Sequence, residues 1–175
     1  MDRHNQTHND IKPQNFLVKF NNGPNDLTKI EIALTDFGMA GPESQGGTPI
    51  FASPECFEKK EKKSDIFSFG RVILFLLLSK ERFVKWLFIP VKDQTRALHR
   101  MVSLCRPEQT FNLISQMTSL SNRIGLHEAR KLFERLKKRS RISFNRALIN
   151  TIDIVINDEI TNDNAVYVAE LCDFR

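Results

Sequence analysis

Hydrophobic and polar positions change period twice along the chain. Between residues 16 and 36 they suit strands: Phe16-Leu17-Val18-Lys19-Phe20 is a short apolar run, and Ile30, Ile32 and Leu34 alternate with Glu31, Ala33 and Thr35, the period of a half-buried strand. Asn21-Asn22-Gly23-Pro24-Asn25-Asp26 between them is turn chemistry, so a β-hairpin is expected over 16–36. From Val72 to Leu78 every residue is apolar. A helix apolar all round must be buried on all sides, and Ser64 or Asp65 offers an N-cap, which places a central helix near 65–79. Farther on, Pro107 stands at a first-turn position, followed by Phe111, Ile114, Met117 and Leu120 at helical spacing. Ser121-Asn122-Arg123 interrupts before a helix from about Leu126 to Lys138. Phe83 to Pro90 fits either a short helix or a strand, ended by Pro90. Beyond Ser140, Leu148, Ile152, Val155, Ile156 and Ile160 recur at helical spacing, consistent with a helix packed against the lobe or a partner. The fold class is mainly α with a small β-hairpin.

Composition narrows the class rather than the chemistry. With 175 residues, 41% hydrophobic and 27% charged, the chain suits one domain with a core and is short for two. The formal charge of +5 is uneven. Arg130, Lys131, Arg135, Lys137, Lys138, Arg139 and Arg141 make one basic stretch, read as a solvated face rather than a nucleic-acid or anionic-lipid site. Cys56, Cys105 and Cys172 are odd in number and lack C-x-x-C spacing, so reduced thiols are expected, without a zinc site. The N-terminus has no apolar signal segment, and the run Ile66 to Leu78 contains Arg71 and is too short to span a bilayer. The expected location is cytoplasmic or nuclear, with no membrane partner.

Chemistry is concentrated in Thr7-His8-Asn9-Asp10-Ile11-Lys12-Pro13-Gln14-Asn15. An aspartate, a lysine and an asparagine at fixed offsets are what phosphoryl transfer needs. The carboxylate orients a hydroxyl and accepts its proton, the cation meets phosphate charge, and an amide oxygen helps hold Mg²⁺. A hairpin later come Asp36-Phe37-Gly38, where a strand delivers a carboxylate and glycine is expected to allow a sharp turn. Gly47-Thr48-Pro49, Ser53-Pro54-Glu55 and Ser64-Asp65-Ile66-Phe67-Ser68-Phe69-Gly70 follow.

In this order the motifs resemble the C-terminal lobe of a eukaryotic protein kinase of the serine/threonine type. His8 to Asn15 stands as H-N-D-I-K-P-Q-N against the catalytic loop H-R-D-L-x-x-x-N, with Asn9 in place of its arginine. Asp36-Phe37-Gly38 matches D-F-G, Ser53-Pro54-Glu55 matches A-P-E, and Phe67 occupies the tryptophan slot of D-x-W-S-x-G. Lys12 resembles the serine/threonine branch. The resemblance implies Asp10 as catalytic base, Lys12 on phosphate and Thr48 steadying the loop near the substrate. Asn15 and Asp36 would ligate Mg²⁺, and Leu17 would lie under the adenine of ATP. It also implies His8 and Phe37 stacked in a column that Asp65 anchors, and a buried ion pair of Glu55 with Arg123. Gly38 completes its structural positions.

The resemblance covers residues 8 to about 138, so 1–138 is read as a partial kinase domain and 139–175 as an extension of unknown role. The sequence holds no G-x-G-x-x-G loop, V-A-I-K lysine or αC glutamate, which a kinase needs over the phosphates. The expectation is therefore a C-lobe without its N-lobe. It would transfer the γ-phosphoryl of ATP to a protein serine or threonine once completed, and be inactive alone. The alternative is a truncated, non-catalytic interaction module whose exposed surface a partner covers.

Overall fold

Leu74 has no exposed surface, and the structure is layered around the helix that carries it. The computed structural model describes residues 7–21, 30–41, 47–57, 63–78, 80–104 and 108–139. Among them are two strands, β1 (Phe16–Phe20) and β2 (Ile30–Leu34), and five helices: α1 (Lys63–Leu77), α2 (Lys80–Leu87), α3 (Val91–Leu104), α4 (Glu108–Met117) and α5 (Leu126–Arg139). The expected class, mainly helical with one hairpin, is the observed one. The turn at 22–29, Pro107, Cys105, Cys172 and the tail from Ser140 lie outside the described residues.

The strands pair antiparallel with Phe16 opposite Leu34 and Val18 opposite Ile32. Phe16 and Leu34 pack against the core, whereas Ile32 is 66% exposed and Val18 50%. The expectation of a half-buried strand is corrected here. Paired residues share one face, but only the root of the ribbon reaches the helices, so the same face is partly buried at one end and exposed at the other.

On α1, Ile66, Phe67, Val72 and Leu74 are buried, as is Leu78 just past its end, while Leu76 is exposed. Burial on every side, the sequence expectation, therefore fails at one position. Neither Ser64 nor Asp65 is the N-cap, because the helix already includes Lys63 and both lie in its first turn. Gly70 lets α1 and α4 approach closely. A Cβ there would stand 2.9 Å from Thr118 Cγ2 and 3.0 Å from Met117 Cβ, closer than side-chain carbons pack.

The undecided segment before Pro90 is helical, because Phe83, Trp86 and Leu87 fall on one face of α2 and all are buried. Phe83 stacks between Phe51 and Trp86, at 5.7 and 5.9 Å between centroids. Pro90 then opens α3, its carbonyl accepting from the Asp93 and Gln94 amides. Helix α3 is the one element the periodicity did not single out. It adds Gln94, Ala97 and Leu98 to the buried set. Met117 belongs to α4 as expected, but Leu120 lies past its end and is 49% exposed.

Two guanidinium groups approach the Phe67 ring, Arg71 at 4.7 Å and Arg123 at 4.8 Å from its centroid. Arg71 is buried and donates to the Ile50 carbonyl and to Gln94 Oε1. Arg123 is paired with Glu55, Nη1 on Oε1 and Nη2 on Oε2 at 3.2 Å, and its Nε donates to the Ser119 carbonyl. The expected ion pair is present, bidentate and stacked. Its burial is one-sided, however: the Arg123 side chain is 6% exposed and that of Glu55 31%, because Pro54–Phe57 is a surface 3₁₀ turn.

Removing one partner of a buried pair costs about 3–5 kcal/mol. Since the Glu55 carboxylate can regain water, Arg123→Ala is expected to lose stability near the lower end of that range in urea unfolding. A change below about 1 kcal/mol, the size of a surface ion pair, would show that the pair does not hold the turn to the segment between α4 and α5.

Candidate active site

The catalytic-loop segment is folded onto α1 by one carboxylate. Asp65 Oδ2 accepts from the His8 amide at 2.7 Å and Oδ1 from the Asn9 amide at 2.9 Å. Two consecutive amides can meet one carboxylate only if the chain bends sharply, and Asn9 supplies the bend at φ 67°, a left-handed conformation that asparagine tolerates. His8 is fully buried. Its Nε2 lies 2.9 Å from the Thr35 carbonyl, and its Nδ1 faces the Asp10 amide. These contacts assign the proton to Nε2. Phe37 meets the imidazole at 4.9 Å between centroids, tilted by 60°. The column of His8, Phe37 and Asp65 thus forms, with a tilted ring contact rather than a flat stack.

Asp10, 8% exposed, is engaged at both oxygens. Oδ1 accepts from the Thr48 amide at 2.9 Å and the Thr48 hydroxyl at 2.8 Å, and Oδ2 meets Lys12 Nζ at 2.7 Å. Burial pushes the carboxyl up, but the bonds from Lys12 and Thr48 outweigh it and hold Asp10 below the ordinary aspartate value. Asp10 is therefore ionised at neutral pH. Thr48 can come this near because Gly47 stands at φ 140°, where a Cβ would lie 2.6 Å from the Asn9 carbonyl oxygen.

Asn15 is buried and turns its amide nitrogen inward, to the Asp10 carbonyl at 2.8 Å. Its own carbonyl accepts from the Thr35 amide, which ties the end of β2 to the loop. Asp36 follows directly, exposed and left-handed at φ 61°. The sharp turn expected at Gly38 is thus made by Asp36 itself. Gly38 lies in the 3₁₀ turn Phe37–Met39, where a Cβ would stand a tight 3.3 Å from Asp36 Oδ1. Leu17 lies on β1 and is 60% exposed.

The structure thus brings Asp10, Lys12, Asn15 and Thr48 together, with Asp36 joined to them through Thr35. Glu55 and Arg123 brace the lobe through the surface turn. One contributor was missed: the Asn9 side chain, read from sequence only as an absent arginine, donates to two carbonyls of the segment after Asp36. Its only sequence signal was asparagine where a left-handed bend was required.

A protein-family model described as "Protein kinase domain" matches residues 1–150 of the chain. The chain belongs to the protein kinase family. Similar proteins include serine/threonine-protein kinase ppk34 of Schizosaccharomyces pombe, 40% identical over 83 residues, and serine/threonine-protein kinase nekl-2 of Caenorhabditis elegans, 36% identical over 91. Dual specificity protein kinase shkD of Dictyostelium discoideum is 36% identical over 84. These alignments cover 42%, 47% and 42% of this chain but only 22%, 23% and 10% of the respective relatives. The chain therefore spans less than a quarter of each relative's length. No solved structure gives a significant match.

Kinases use ATP with Mg²⁺, and the residues present fit that ion by donor chemistry. Asn15 turns its nitrogen toward Asp10, which leaves its oxygen as the ligand end, and Asp36 is an exposed carboxylate. Two oxygen donors suit Mg²⁺, which keeps several waters. Among the described residues no cluster of three or more His, Cys, Asp or Glu could hold a metal alone. Nor is any described helix long and apolar enough to cross a membrane.

Asp10 and Glu55 give the protein a defined acid response. Burial raises both, but hydrogen bonds and nearby cations hold both below their ordinary values of 3.8 and 4.5. The unfolded chain then binds more protons than the folded one, so stability is full above those values and falls as pH drops through 4.5 and 3.8 toward the folded pKa values. Urea midpoints measured across this range should decline, and Asp10→Asn with Glu55→Gln should flatten the decline. A profile as steep in the double variant would assign the acid response to other carboxylates.

Proposed function

We propose that residues 1–138 act as the substrate-facing lobe of a protein serine/threonine kinase. The observation that carries this reading is Asp10, ionised, with Thr48 fixing one oxygen and Lys12 covering the other. When a substrate hydroxyl oxygen attacks the γ-phosphorus of ATP, the bond to the bridging oxygen breaks, ADP leaves with that electron pair, and the hydroxyl proton passes to Asp10. For Oδ2 to receive it, Lys12 must leave the carboxylate. A phosphoryl group offers the ammonium an equivalent anion, so the same lysine opens the base and meets the transferring charge. Bound Mg²⁺, held by Asn15 and Asp36, would neutralise phosphate charge. Leu17 would form the floor beneath the adenine, and Lys12 favours serine and threonine as acceptors.

The cleft is one-sided among the described residues. Leu17, Val18, Ile32 and Phe37 are each at least half exposed, so a base laid on Leu17 would keep its other face in water. Catalysis that depends on positioning and a dry site should then be weak until a second wall, the N-terminal lobe of the family, is supplied. The exposed pair Val18 and Ile32, on one face of the hairpin, favours a second reading, a non-catalytic module that binds a partner through it.

Titration calorimetry of Mg²⁺-ATP into the 175-residue chain is expected to give no binding heat. Adding an upstream lobe with a glycine-rich loop and its lysine should restore binding and phosphorylation of a serine or threonine peptide, and Asp10→Ala should abolish the phosphorylation. Asp10-dependent activity of the bare chain would sink the one-sided cleft. A completed, folded protein that stays inactive would favour the interaction module.

Control should differ from relatives that carry arginine before the catalytic aspartate. Asn9 is neutral and cannot form a bidentate phosphate contact, and Ser44, which lies outside the described residues, is the one hydroxyl between Met39 and Gly46. In the completed kinase, Ser44→Ala is expected to keep activity within about twofold of wild type. A loss of tenfold or more would restore loop phosphorylation as the switch.

A further inference from the structure

We propose that Asn9 is a positioning residue whose side-chain amide sets the turn carrying Asp36, taking over by neutral hydrogen bonds the bracing of that segment. Asn9 is 7% exposed. Its Nδ2 donates to the Met39 carbonyl and to the Gly41 carbonyl, both at 2.8 Å. A carboxamide has two N–H donors on one nitrogen, and here each finds a carbonyl on the same short segment. Beside them, the Gly41 amide donates to the Thr7 carbonyl at 3.0 Å, so the segment is bound to the catalytic loop from both strands of the contact. At its other end the segment is tied through Thr35, whose amide donates to Asn15 and whose carbonyl faces His8. Between these two ties lie left-handed Asp36 and the turn Phe37–Met39, closed by the Ala40 amide on the Phe37 carbonyl. Neither tie includes an ion pair. A strained left-handed carboxylate persists only when its surroundings over-determine it, and Asn9 donates two side-chain hydrogen bonds to the segment beyond it, where the His8 ring also meets Phe37. The role of Asp36 as a metal ligand rests on the kinase reading; the clamp itself does not.

Hydrogen exchange on the 175-residue chain tests the clamp without requiring activity. Asn9→Gly keeps the left-handed bend and removes the donors. Asn9→Asp keeps the shape and turns acceptors toward two carbonyls. In both variants, protection of the Ala40 and Gly41 amides is expected to fall by about tenfold or more. The amides at positions 8 and 9, held by Asp65, should stay within about twofold of wild type and serve as the internal control. If Asn9 matters only for tolerating the bend, Asn9→Gly will leave Gly41 protected, and the proposal fails. It fails too if protection at positions 8 and 9 collapses along with Gly41, since the effect would then be general loosening. Loss of Gly41 protection with no binding of Mg²⁺-ATP by a completed protein would uphold the clamp while sinking the kinase role.

Discussion

The two bonds from consecutive amides to the Asp65 carboxylate are the constraint on which the site depends. A loop rich in polar side chains has little apolar surface with which to hold itself to a hydrophobic lobe. Here a single charge in the first turn of the central helix does so by accepting from the His8 and Asn9 amides. Hydrogen bonds to a charged acceptor are stronger than neutral ones, and these two also dictate geometry. They force the left-handed bend at Asn9, which directs His8 inward to Thr35 and the Asn9 amide outward to Met39 and Gly41. Asp10, next in sequence, then points at Thr48 and Lys12. One carboxylate thus fixes the directions of three successive side chains.

A second polar brace lies at the opposite end of the same helix turn. Phe67, two residues after Asp65, is gripped by Arg71 and Arg123, and through Arg123 by Glu55. An aromatic ring with a cation near its face keeps its packing surface while giving a buried guanidinium a favourable neighbour. Tryptophan in this slot would offer a larger face; phenylalanine suffices because Arg71 also reaches Ile50 and Gln94. The turn Pro54–Phe57 and the segment before α5 are therefore joined across the core by a chain of contacts that starts at α1.

Much of this was legible because it is local or because the residues are chemically scarce. The hairpin, the central helix and α5 follow from period and turn chemistry, and the Glu55–Arg123 pair is implied by the resemblance to the kinase family. What the sequence concealed depends on depth. The alternation of Ile30, Ile32 and Leu34 says which residues share a face, but it cannot say where the ribbon leaves the core; Leu34 is inside and Ile32 outside. Helix α3 was obscured because its buried face includes Gln94, which reads as polar yet is satisfied by Arg71 and the Ile89 carbonyl. The turn at Asp36 was assigned to Gly38 on the rule that glycine takes positive φ, whereas a carboxylate bonding its own backbone two residues on can do the same. Asn9 was legible only as a departure from a pattern, since its partners are backbone carbonyls some thirty residues away.

The geometry around Asp10 also sets stability against chemistry. Lys12 and Thr48 keep the carboxylate ionised, as the proposed role of base requires, yet Lys12 does so by occupying the oxygen through which a proton would arrive. For the proposed reaction, the resting ion pair is therefore a closed arrangement. An anion that draws Lys12 away leaves Asp10 held by Thr48 alone on Oδ1, with Oδ2 near only the Asn15 amide at 3.4 Å. Loss of the lysine also raises the proton affinity of the carboxylate, because a cation at hydrogen-bond distance was lowering it. On the proposed kinase reading, the carboxylate would thus become accessible and more basic in one movement, driven by the charge of the group to be transferred, without any change in the polar frame from Asp65 through Asn9 to Thr48.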